Sequence, residues 1–98
     1  MDNLKKGMAW INENMKEALS SSYEVKHVTS DDGDLGKLSG IQFDSEEMGG
    51  YIYFWSSGFV AYQLVDYLRE EEIIEDTTEE INKRPYDEIF KEMLLKLN

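Results

Sequence analysis

Tyr51-Ile52-Tyr53-Phe54-Trp55-Ser56-Ser57-Gly58-Phe59-Val60-Ala61-Tyr62-Gln63-Leu64-Val65-Asp66-Tyr67 is the stretch that decides the fold. Aromatic and β-branched residues fill both flanks of Ser56-Ser57-Gly58, and glycine accepts the positive φ that a tight reversal demands. A β-hairpin is expected, with strands over 51–55 and 59–67. Both strands are apolar or aromatic on their two faces. A sheet covered by helices on one side needs only one such face, so the other must meet a loop, a second copy of the chain or a partner.

Upstream, Ile41 and Phe43 share one face of a strand over 37–44, joined to the hairpin by residues 46–50. Before it, Tyr23, Val25 and His27 alternate with Glu24 and Lys26, a half-buried strand pattern, and Ser30-Asp31-Asp32-Gly33-Asp34 makes the turn between. Downstream, Arg69, Glu70 and Glu71 turn the chain into a short, charged edge strand over 72–75 around Ile73 and Ile74. Helices flank this meander. Leu4, Met8, Ile11, Met15 and Leu19 recur at helical spacing over 3–20, with Asp2 or Asn3 as cap, Gly7 as a weak point and Ser20-Ser21-Ser22 as the stop. At the other end Thr77 and Glu80 stand at capping-box spacing, Pro85 suits a first helical turn, and Tyr86, Ile89, Phe90, Met93, Leu94 and Leu97 form one stripe. The expectation is one α+β domain over 1–98: an N-terminal helix, an antiparallel meander of four to five strands and a C-terminal helix, both helices packed on one sheet face.

Composition narrows the function. With 41% hydrophobic and 32% charged residues in 98, the chain is globular with one modest core. It has no cysteine, so disulfides and thiolate chemistry are excluded and a reducing, cytoplasmic setting is expected. No leader-like apolar region follows Lys5 and Lys6, and no apolar run approaches a membrane span. Of the net charge of -11, residues 31–80 carry -12, with fourteen acids against Lys37 and Arg69, while residues 1–30 hold four acids and four bases. Such a segment repels nucleic acid and anionic membranes and suits a basic protein, although an acidic surface also serves plain solubility.

Catalytic and metal chemistry find little support. His27, the one histidine, alternates with Val25 on a strand and reads as a surface or structural residue. Asp31-Asp32-Gly33-Asp34 lacks the spacing of a calcium loop and reads as a solvated turn. The glycines form no phosphate loop, and the Glu46-Glu47 and Glu70-Glu71 pairs lack the apolar walls that raise an acid catalyst's pKa. No enzyme activity, metal or cofactor is expected. The candidate partner contacts are Trp55, Tyr53 and Tyr62 from the hairpin, Asp44, Glu46 and Glu47 before it, and Glu70, Glu71, Glu72, Glu75 and Asp76 after it. Rings anchor interfaces, and acids steer a basic partner.

The segment from Gly50 to Asp66, followed by the acidic turn, Ile73-Ile74 and a terminal amphipathic helix, resembles the TriTu immunity proteins of bacterial polymorphic toxin systems. Trp55, Ser57 and Gly58 stand at that family's W-S-G hairpin positions, and Asp66 closes the next strand. The resemblance implies a cytosolic protein that binds and blocks a cognate toxin, by steric occlusion or acidic mimicry of a substrate; many such toxins are basic nucleases. A different class of function, a homodimeric structural or adaptor domain pairing through the aromatic face or the 72–75 edge, remains the alternative.

Overall fold

The computed structural model describes residues 2–20, 22–31 and 36–97. Helices α1 (Asp2–Asn14) and α2 (Lys16–Ser20) follow the predicted stripe, with Ile11, Met15 and Leu19 buried. The single helix expected over 3–20 is interrupted at Met15. Its path nevertheless continues, because the Met15 N–H donates to the Ile11 carbonyl at 2.8 Å and the Leu19 N–H to that of Met15 at 3.0 Å. Gly7, read from the sequence as a weakness, is the point of closest approach: a Cβ there would stand 2.6 Å from the Phe54 ring. The expected Asp2 or Asn3 cap, the serine at 21 and the turn at Asp32-Gly33-Asp34 lie outside the described side chains and residues.

Five strands form one antiparallel sheet in chain order: β1 (Glu24–Ser30), β2 (Leu38–Asp44), β3 (Met48–Trp55), β4 (Phe59–Asp66) and β5 (Glu71–Glu80). The hairpin between β3 and β4 turns on Ser56-Ser57-Gly58. Gly58 has φ 102° and its N–H donates to the Trp55 carbonyl at 3.0 Å. That three-residue loop sets Phe54 across from Val60 and Ile52 across from Tyr62.

The last strand corrects two expectations. It runs to Glu80 instead of ending near 75, so Thr77 and Glu80 belong to the sheet and cap no helix. Thr77 pairs with Tyr62 and Thr78 with Ala61, and these ladder partners on β4 outweigh a local capping signal. Two register shifts interrupt this pairing, one between Tyr62 and Leu64 and one between Leu64 and Val65. These bulges break the strict alternation, and consecutive Ile73 and Ile74 both pack against the core. After a 3-10 turn (Ile81–Lys83), Pro85 precedes α3 (Tyr86–Ile89) and its carbonyl accepts from Glu88 and Ile89, as its fixed φ favours. Helix α4 (Lys91–Leu97) follows.

The helices cover one sheet face, as expected. Phe43, Ile52, Phe54, Val60 and Leu64 pack with Ile11, Met15, Leu19, Phe90 and Met93, all buried. Trp10 joins the two ends of the chain: its ring lies 4.9 Å from that of Phe90, and its indole N–H donates to Asp87 at 2.8 Å.

Candidate functional site

Strand pairing assigns Tyr51, Tyr53 and Trp55 to the sheet face away from the helices, alternating with buried Ile52 and Phe54. The three rings form a row. Tyr51 and Tyr53 stack with centroids 4.6 Å apart, and Trp55 meets Tyr53 edge-on at 6.2 Å. All three are half-buried, and around Tyr53 the strand neighbours on that face are small. Gly40 lies across from Tyr53 on β2, where a Cβ would come within 2.8 Å of the ring, and Ala61 lies across on β4.

Hydroxyl bonds hold the two tyrosines of the row, and Tyr67 beyond them. Gln42 donates its amide to the Tyr53 oxygen at 2.6 Å, Tyr51 donates its hydroxyl to Asp76, and Tyr67 donates to Asp44. Burial and then the Asp76 bond push the Tyr51 phenol well above its ordinary pKa; for Tyr67 the Asp44 bond is the first cause of an upward shift. Asp44, Glu72 and Asp76 form no salt bridge among the described residues, whose ion pairs use Asp66, Glu79, Glu80 and Glu88. Between Tyr51 and Tyr67 lies a shallow recess bordered by Gln42, Asp44, Gly49 and Gln63.

The expected contact residues are thus partly gathered and partly dispersed. Tyr53 and Trp55 share the face with Asp44, Asp76 and Glu72, the last across from Val65. Glu46 and Glu47 lie on the β2–β3 turn, Glu70 on the β4–β5 turn, and Glu71 begins β5. The two turns are joined where the Tyr67 N–H donates to the Glu47 carbonyl at 2.8 Å. They occupy the far end of β3 from Trp55, roughly 23 Å away at about 3.3 Å per residue. Glu75 is exposed at the first bulge, beside Asp76.

Tyr62 is the residue that does not fit. It sits on the helix-covered side, 5% exposed, with its ring 5.5 Å from Phe90, and so leaves the set. The three-residue loop is the reason, since it pairs Tyr62 with Ile52 and places Ala61 opposite Tyr53. The Tyr62 hydroxyl donates to Glu79, which accepts two bonds from Arg84 at 2.9 and 3.0 Å. Burial first and the Glu79 bond second push Tyr62 up to about 12, while the Arg84 bonds hold Glu79 low. In its place the structure adds Tyr51 and Gln42. Their signal was available, because Tyr51 shares the parity of Tyr53 and Trp55, and Gln42 alternates with Ile41 and Phe43.

A family model described as immunity protein TriTu matches residues 5–96, nearly the full chain. No curated protein and no solved structure gives a significant match. No helix among the described residues is long and apolar enough to cross a membrane.

Proposed function

The chain belongs to the TriTu immunity protein family, and from that premise we propose that it neutralises its cognate toxin by binding it in the cytoplasm, with the open sheet face as the docking surface. The observation that carries this reading is the row Tyr51, Tyr53 and Trp55 beside carboxylates that have no cation of their own among the described residues. Tied rings offer a large contact area at low entropic cost, and unneutralised Asp44, Glu72 and Asp76 attract a basic protein and raise its association rate. Occlusion of the toxin's working surface is the mechanism such a platform serves.

Their upward shifts keep the Tyr51 and Tyr67 phenols protonated near neutral pH, as donors to Asp76 and Asp44. A homodimer joined through this face or through β5 is disfavoured, because each surface would set acids against acids of its own copy.

Capture from the native host, identified by mass spectrometry at low and high salt, tests the proposal. A toxin retained at low salt, weakened by high salt and lost with Tyr53→Ala or with the Asp44→Asn/Asp76→Asn pair is expected. Retention undiminished by both substitutions would move the docking surface elsewhere, and capture of no toxin would overturn the reading.

A further inference from the structure

The two edges of the sheet are built differently. Strand β5 carries acids at Glu71, Glu72, Glu75, Asp76, Glu79 and Glu80 and is bent by two bulges, both devices that keep other strands away. Strand β1 has no bulge, and its one acid, Glu24, stands two residues from Lys26. Its seven residues pair one-for-one with β2 without a bulge, Glu24, Val25, Lys26 and His27 are all exposed, and no described strand lies on its outer side. It also lies in the neutral part of the chain, residues 1–30 holding four acids and four bases.

We propose that β1 is a self-pairing edge that joins two copies of this chain about a two-fold axis at Val25. Antiparallel pairing in that register sets Glu24 across from Lys26 of the second copy, and Lys26 across from its Glu24, so one operation forms two ion pairs. Val25, 38% exposed in the single chain, meets its own counterpart, and Tyr23 lies across from His27. On the helix side of the edge, a groove lined by Asn12, Lys16, Leu19, Tyr23, Val25 and His27 gives the apposed valines an apolar seat. Registers centred one residue away lose this match; an axis at Lys26 would oppose the two lysines. The acid-rich middle segments of the two copies stay on the outer flanks, and the result is a ten-stranded sheet whose aromatic rows face the same way. Toxin docking does not require this pairing.

Sedimentation velocity of the full chain, from micromolar to near-millimolar concentration, tests the proposal with Glu24→Lys and Lys26→Glu. Each substitution places like charges across the axis in two places and is expected to weaken the dimer about tenfold. Mixed one to one, the two variants oppose only unlike charges and should associate where neither does alone, and the double variant should recover wild-type behaviour. Both positions are exposed, so unchanged circular dichroism and melting temperature will show that folding is intact. A wild-type chain that stays monomeric at every concentration, variants that dimerise like the wild type, or a mixture that fails to associate would each overturn the proposal.

Discussion

Along β3, alternate residues meet opposite fates: Ile52 and Phe54 have no exposure, whereas Tyr51, Tyr53 and Trp55 keep part of their rings in solvent. The residues are similarly apolar, so composition does not separate them. What separates them is cover: Phe54 lies beneath α1 and near Tyr86 and Phe90, while the row opposite lies on the sheet face away from the helices. A strand of period two can hold the core together on one side and present an interface on the other, and substitution on one side need not disturb the other.

The largest effect that tests this division is in the core. Phe54→Ala should cost about 3–5 kcal/mol of unfolding free energy, read from urea denaturation. Trp55→Ala should change stability far less, within about 1 kcal/mol, yet weaken toxin capture by roughly 2 kcal/mol or about thirtyfold. If Trp55→Ala unfolded the protein as Phe54→Ala does, the division between the faces would be lost. Third in size is Glu79→Gln, which removes the charge paired with Arg84 and leaves one amide oxygen where two carboxylate oxygens served Arg84 and the Tyr62 hydroxyl, and should cost about 1–3 kcal/mol.

The pH dependence sharpens the same comparison. Because Glu79 is held low, its contribution is present above the ordinary carboxylate value of 4.5 and is lost as pH falls through its own folded value. Tyr62, raised from 10.0 to about 12, behaves in reverse: its contribution is intact below pH 10 and disappears as pH climbs toward 12. Tyr62→Phe should therefore flatten the alkaline limb of a stability profile and, with Arg84 still holding Glu79 low, leave most of the acid limb in place. The smallest expected effect is that of Tyr51→Phe, which removes one partly exposed hydroxyl bond and should shift stability by no more than about 1 kcal/mol.

The order of elements was legible because period-3.6 and period-2 patterns alternate cleanly along the chain, and the hairpin because glycine follows two serines between aromatic strands. Faces were harder to read. Where both sides of β3 and β4 are apolar, alternation alone does not say which side the helices choose, and Tyr62 and Tyr53 look alike in sequence. Counting the loop as three residues, with Gly58 at positive φ, would have paired Tyr62 with Ile52. The true length of β5 was hidden by Thr77 and Glu80, which satisfy a local helix-start rule while pairing with Tyr62 and Phe59 on β4. The distance between the acidic turns and Trp55 was likewise hidden, because residues close in sequence to the hairpin fall at the opposite end of its strands.

The bonds from Gln42 to Tyr53, Tyr51 to Asp76 and Tyr67 to Asp44 bear on how recognition would proceed in time. Phenols already anchored at their tips have surrendered their torsional freedom in the unbound molecule, so little ordering is left for the moment of encounter. On the proposed docking face such rings would meet a target as a stiff template, with less conformational freedom to lose on binding.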